Sequence, residues 1–242
     1  MTDARPIGPG TLRTLGELGP FFAVTVLDQE GEPPAPWRPV AELLADPAAR
    51  VEQVRAYLAA GVGVAPSAVE PRVAASVMHL GLVARLVSPW VGLAARDGVH
   101  LPVEVDDLWW IPSLGGGFEL AVAPQAFARE RPVSLTVWAD ALVHDLLRPL
   151  VDAVHGSPTV LWGNTASAVN GAAVAGSAAH PESASRLRIV ADGLLAALPV
   201  PDVHTGQAGT PDFRRRSCCL IYRVGGAARP RALCGDCVLT AS

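Results

Sequence analysis

Lysine is missing from this chain of 242 residues, and all 19 basic side chains are arginine. With Ala, Gly, Pro and Arg so frequent, the gap reads as coding bias rather than mechanism. It still excludes one chemistry: the Ser113-Leu114-Gly115-Gly116-Gly117 stretch is no phosphate loop, because no Gly-Lys-Ser/Thr ending follows. Rossmann glycine spacing is missing as well, and no nicotinamide or flavin fingerprint appears. Charge is sparse. Only 17% of residues are charged and the net charge is −4, so bulk attraction to nucleic acid or acidic membranes is not expected. Residues 1–10 carry no apolar run behind a basic start, so no signal peptide is expected and a cytoplasmic address is the default. Internal repeats and coiled-coil heptads are absent, as is any nucleophile–base arrangement suited to hydrolysis. The six histidines are scattered. His144 and Asp145 have no second ligand at helical spacing, and His204 is expected to be a loop residue.

Half of the residues are hydrophobic, the composition of a folded protein with a core to bury. Residues 12–18 suit a short helix, and the β-branched and aromatic run 21–27 suits a strand closed by the turn at 29–32. Residues 37–44 and 48–60 read as helices; in the latter, Val51, Val54, Tyr57 and Leu58 recur on one face. Residues 69–95 make a long apolar helix, kinked or interrupted near Pro89. That stretch is long enough to cross a bilayer, but Arg85 in its middle argues for a buried core helix; peripheral membrane contact stays open. Two short runs, 108–111 and 118–122, flank the glycines as a β-hairpin. Trp109 and Trp110 are then core or hairpin residues. Ser134 caps a helix running to about 154, which Pro149 kinks near its end, and helices follow over 159–179 and 183–198. Residues 200–210 read as a loop. The expected fold is mainly α, an α+β chain with a helical body over residues 1–205, a few short strands, and a small cysteine-rich module over 206–242. That tail is too short for its own core, so it needs a metal, the body, or both.

All four cysteines lie in the last 25 residues: Cys218, Cys219, Cys234 and Cys237, spaced C-C-x14-C-x2-C. Clustered thiols in a reducing compartment are more often ligands or redox groups than structural disulfides. The Cys234-Gly235-Asp236-Cys237 knuckle lets two thiolates reach one ion, with Gly235 easing the turn. Four thiolates suit one tetrahedral Zn²⁺ or a [2Fe–2S] cluster. The vicinal pair sets a condition: neighbouring side chains on extended chain point to opposite faces, so Cys218 and Cys219 converge only if the backbone turns there. Spacing leaves open iron–sulfur, zinc, a CxxC thiol–disulfide pair and no centre at all.

The string Cys218-Cys219-Leu220-Ile221-Tyr222-Arg223-Val224, followed by Leu233-Cys234-Gly235-Asp236-Cys237, resembles the C-terminal signature of the FhuF-like ferric-siderophore reductases, C-C-x10-C-x2-C. Upstream, Leu161-Trp162-Gly163-Asn164 with Ser167 resembles a second recurring stretch of that family. The similarity covers the last 30 residues and the surroundings of Trp162. The fourteen residues between the cysteine pairs here, against the family's usual ten, are a departure that a surface loop tolerates cheaply. The resemblance implies a [2Fe–2S] cluster on the four cysteines and one-electron reduction of Fe³⁺ in a siderophore, hydroxamates favoured. The helical body would then face the siderophore. Electrons would come from a separate donor such as a ferredoxin or an NAD(P)H-dependent reductase. Arg214, Arg215, Arg216 and Arg223 crowd the first cysteine pair and are candidates for docking an anionic chelate or an acidic carrier; a solvated basic patch is the plainer account. Trp162 and Asn164 are candidates for substrate contact, against a buried Trp with Asn164 or Thr165 as a helix cap. Two other readings compete: a zinc-stabilised binding or scaffold protein, and an iron–sulfur electron carrier with no chelate site of its own.

Overall fold

The computed structural model describes residues 12–28, 31, 33–114, 117–129, 133–224 and 233–240. The expectations made for residues 1–10, for most of the turn at 29–32, for two of the three loop glycines and for the long loop between the cysteine pairs lie outside the described residues. The body is 60% helical with few short strands, a mainly α fold. In chain order the principal elements are β1 (Thr25–Val26), β2 (Arg38–Pro39), α1 (Val40–Ala45), α2 (Ala48–Val62) and α3 (Pro71–Asp97). Then follow β3 (Leu108–Ile111), β4 (Glu119–Val122), α4 (Gln125–Ala128), α5 (Leu135–Leu142) and α6 (Arg148–Ala153). The chain ends with α7 (Pro158–Ala179), α8 (Ala184–Ala196), β5 (His204–Thr205) and β6 (Arg214–Arg215).

Helix α3 is the axis of the fold. It is buried on nearly every side over its second half, packs chiefly on α7, and also meets α2 and α8. By length and composition it would cross a membrane, yet 78% of its most apolar window is covered by the rest of the chain. Small residues let its neighbours close in: a Cβ on Gly92 would meet Phe22 Cδ1 at 2.8 Å and Leu18 Cδ1 at 2.9 Å. The helix runs through Pro89 without the expected interruption. Pro89 has no N–H for the carbonyl four residues back. The turn is held by packing, with Trp90, Val91 and Leu93 at 1% exposure or less.

Arg85 answers a cost that burying its charge creates. It donates to Phe118 O at 2.7 Å, Phe21 O at 3.0 Å and Ala23 O. Burial pushes its pKa down to about 10, which still leaves it charged at neutral pH. These bonds also explain why the strand expected over 21–27 shrinks to Thr25–Val26. Two of its carbonyls are taken by an arginine and are not offered to a sheet partner.

The four-stranded sheet runs β1-β4-β3-β2, with β1 parallel to β4 and the other pairs antiparallel. The β3–β4 hairpin has Leu108 opposite Val122 and Ile111 opposite Glu119, as the pattern around the glycines predicts. Trp109 and Trp110 lie buried within it. The helix expected over 37–44 is corrected at its start. Arg38 and Pro39 pair with Trp110 and Trp109, and the helix begins only at Val40. Arg38 precedes a proline, which disfavours helical backbone there. Ser134 caps α5 by accepting from Val137 N at 3.3 Å. A π-helical turn at Val143–Leu147 then precedes Pro149 and α6, as befits a proline that leaves the carbonyl of Asp145 without a donor.

His79 on α3 is fully buried, and neither ring nitrogen has a hydrogen-bond partner among the described residues. Burial pushes its pKa from 6.5 down to about 3. The unfolded chain therefore takes up a proton first as pH falls through 6.5, and stability is lost from there down to about 3. Between pH 7 and pH 5 this one group should cost about 2 kcal/mol. Urea titrations at the two pH values should give a smaller difference for His79→Leu than for the parent. Equal differences would mean that His79 is not held neutral.

Candidate metal centre

The vicinal cysteines leave a short two-stranded ribbon. β5 and β6 pair His204 with Arg215 and Thr205 with Arg214, so the ribbon joins residues on either side of the 205/206 boundary. Phe213 beside it belongs to the main core, and His204 stacks on Phe213 with ring centroids 5.1 Å apart. After β6 the chain passes through Ser217 to Cys218 and Cys219. Leu220 then takes a left-handed φ of 68° and a 3₁₀ turn follows over Ile221–Arg223. The backbone thus turns directly after the vicinal pair. Leu220 N donates to Cys218 Sγ at 3.3 Å.

The second pair forms a closed turn, in which Cys237 N donates to Cys234 O at 3.1 Å. Gly235 is not what makes it possible: its φ is outside the left-handed region and a Cβ there would meet nothing within 4 Å. The knuckle is tied to the ribbon, with Arg215 N donating to Asp236 O at 3.2 Å. Cys219 and Cys234, one from each pair, come together with their sulfurs 3.2 Å apart. All four cysteines are thiols rather than disulfides. Cys219 and Cys237 are buried, while Cys218 and Cys234 are partly covered.

Arg215 holds this cluster to the body. It is completely buried, which corrects the expectation that it docks a partner from solvent. Its Nη2 donates to Cys234 Sγ at 2.6 Å and its Nη1 to Asn164 Oδ1 at 3.0 Å. Its Nε stands 3.8 Å from Asp236 Oδ1, within ion-pair range. Burial alone would lower its pKa, but the negative charge of Cys219 and Asp236 holds it above the ordinary value. Asn164 is oriented in turn: its Nδ2 donates to Ser76 O at 3.0 Å and to Ser76 Oγ at 3.1 Å on α3. A chain of polar contacts thus runs from the core helix to a cysteine sulfur. The hydrogen bond from Cys234, helped by Arg215, pulls the Cys219 pKa down to about 5. The same bond, with desolvation, pushes Cys234 up. Desolvation pushes Cys218 up as well.

The Leu161–Asn164 stretch is neither a substrate contact nor a helix cap. Trp162 and Asn164 sit inside α7 at 4% and 0% exposure, out of reach of solvent. Trp162 belongs to the main core as a buried residue, and the positions beside it serve the cysteine segment. Asn164 takes Arg215, and Gly163 lets Ser217 settle on the helix, since a Cβ there would meet Ser217 Oγ at 2.0 Å and Ser217 Cβ at 3.3 Å. Sequence reasoning missed this partnership. The available signal was a buried Asn in a helix of Ala, Gly and Val, which must find partners somewhere. The remaining arginines differ. Arg216 is exposed, Arg214 is half-buried against the Pro211 and Phe213 carbonyls, and Arg223 pairs with Glu70 at 2.7 Å. Leu220 and Val224 pack onto Ala59, Val69 and Val73, a second anchor for the tail. His144 bonds its neighbour Asp145 at 2.7 Å, away from the cysteines.

Among the described residues, no group of three or more Cys, His, Asp or Glu stands as a finished metal cage. The donor chemistry nevertheless suits a thiolate-bound centre. One sulfur from each pair, Cys219 and Cys234, is brought together, and a buried guanidinium is at hand to offset the charge of a thiolate site. Cys218, Cys219, Cys234 and Cys237 are the residues that would hold a thiolate-bound metal or cluster here. No protein-family model matches the chain, and no curated protein matches it.

The α7–tail contact should fail in Gly163→Val. The helical circular dichroism should persist. The metal-free protein's Cys219 and Cys237 should label with a thiol reagent at least about tenfold faster, the factor that ~1.4 kcal/mol of lost packing produces. Unchanged labelling would show that Ser217 does not need that approach.

Proposed function

We propose that the protein is a cytoplasmic one-electron reductase of ferric siderophores, holding a [2Fe–2S] cluster on Cys218, Cys219, Cys234 and Cys237. The observation that carries the reading is a contact. The two stretches on which the family resemblance rests, Leu161–Asn164 and the cysteine tail, meet through Arg215–Asn164 and Ser217–Gly163. A recurring motif far from the cysteines has a physical reason to accompany them if its task is to hold their environment.

A [2Fe–2S] cluster supplies single electrons at a potential set by its surroundings, and Fe³⁺ reduced to Fe²⁺ is held far less well by hard oxygen chelators. The chain's own residues set those surroundings. Arg215 donates to the sulfur of Cys234 and places positive charge beside it, which favours the more anionic, reduced state and raises the potential. Asn164 and Ser76 fix the guanidinium, so the charge is preorganised. Asp236 offsets part of that charge from the other side. Four thiolates and two irons make an anionic centre, so an uncharged ferric trihydroxamate approaches at less electrostatic cost than a trianionic tris-catecholate. A separate carrier of the ferredoxin or NAD(P)H-reductase class recharges the centre, with the exposed Arg216 available to meet an acidic partner.

The test is direct. Protein purified anaerobically should be reddish-brown, contain iron and acid-labile sulfide in equal amounts, and give an axial or rhombic paramagnetic signal on reduction. Adding a ferric trihydroxamate should abolish that signal as Fe²⁺ appears. Cys234→Ser and Cys237→Ser should each lose the cluster while keeping the helical circular dichroism. A colourless protein with stoichiometric zinc would overturn the reading, and a reduced cluster that no ferric chelate oxidises would leave an electron carrier. Arg215→Met should lower the midpoint potential of whatever cluster it retains, read by redox titration; an unchanged potential would remove Arg215 from that role.

A further inference from the structure

A cleft of about 430 Å³, lined mainly by apolar surface with a few polar groups, opens between α7 and the tail, bounded by Ser167, Asn170 and Gly171 on the helix and by Arg214, Gly235 and Asp236 on the tail. Two of those tail residues lie inside the knuckle, so the cleft wall is the Cys234–Cys237 turn itself. The helix side offers directed donors. Asn170 Oδ1 accepts from Gly209 N at 2.8 Å, which turns the Nδ2 of the same amide away from that bond, and Nδ2 has no partner among the described residues. Ser167 adds a half-buried hydroxyl one turn earlier. On the tail side, Asp236 is 8% exposed, and its Oδ2 is buried with no hydrogen-bond partner among the described residues.

Resting on the reductase reading above, we propose that this cleft receives the ferric chelate. Its mixed lining matches an uncharged complex: Asn170, Ser167 and Arg214 donate to carbonyl and hydroxamate oxygens, and the apolar wall covers the chelate's hydrocarbon arms. The two charged lining residues are of opposite sign, so the wall carries no net charge to select an anion. The location also serves the reaction. One electron leaves the reduced centre and converts one Fe³⁺ to Fe²⁺, no bond to carbon is made or broken, and an external one-electron donor of the ferredoxin class restores the centre. A chelate seated here lies against the turn that carries two of the four thiolates, which keeps that electron's path short.

Gly171 provides the test. It is exposed on α7 and a Cβ there would meet nothing within 4 Å, so Gly171→Trp fills the cleft without disturbing the helix. The probe is a gallium trihydroxamate, the redox-inert counterpart of the ferric complex, titrated calorimetrically into cluster-loaded protein. Gly171→Trp should weaken its binding by at least about tenfold, a loss of ~1.4 kcal/mol. Its cluster spectrum and its oxidation by ferricyanide should stay at parental values. Ile189→Trp, on the exposed face of α8, serves as the surface control and should bind normally. Parental binding by Gly171→Trp would overturn the cleft even if the protein still reduces the ferric complex. Binding lost only in Gly171→Trp, in a protein that reduces no ferric chelate, would keep the cleft and overturn the reductase. No binding by the parent protein would overturn the cleft as well.

Discussion

The burial of Arg215 is the constraint on which the candidate centre depends. A guanidinium taken fully out of water is costly unless charge and hydrogen bonds surround it. Here one fork nitrogen reaches Cys234, another reaches Asn164, and Asp236 stands within ion-pair range. Each partner has a structural price of its own. Asn164 must lie inside an apolar helix with Ser76 beside it, Gly163 must lack a side chain so that Ser217 can approach, and the knuckle must curl back onto β6. Remove the arginine and these features have no common reason.

The same logic recurs in the core. Arg85 spends its donors on three backbone carbonyls, and in doing so shortens one strand and ties the N-terminal segment to the hairpin. Two buried arginines therefore organise the molecule, Arg85 from the middle of α3 and Arg215 through Asn164 and Ser76 nearer the start of that helix. One binds backbone oxygens and is structural. The other binds a sulfur and a carboxylate, and so sits where charge can be used. His79, buried on the same helix with no partner among the described residues, depends on remaining neutral.

Much of the fold was legible because it rests on local patterns. The helix over 48–60, the long apolar helix, the hairpin about the glycines, the Ser134 cap and the last two helices follow from periodicity and punctuation, and they appear with boundaries shifted by a few residues. The failures have local physical reasons: Arg38 before a proline extends rather than coils, Pro89 is overridden by packing, and Arg85 removes carbonyls from a strand. Four clustered cysteines were legible as one neighbourhood for the same reason, since they lie close along the chain.

Long-range pairing was not legible. Four arginines near the first cysteine pair look alike in sequence, yet Arg215 is buried, Arg223 is paired with Glu70, and Arg216 is exposed. Only the packing of β6 on α7 separates them. Trp162 was legible as a buried residue, but Asn164 read as a substrate contact or cap because its partners lie about 50 residues downstream and almost 90 upstream. By itself the sequence determined a mainly helical body and the placing of four thiols within the last 25 residues, because hydrophobic period and residue spacing are local properties. The tertiary structure alone decided which arginine faces the sulfur, which helix supports it, and where a cleft opens beside it, because those depend on contacts between distant segments.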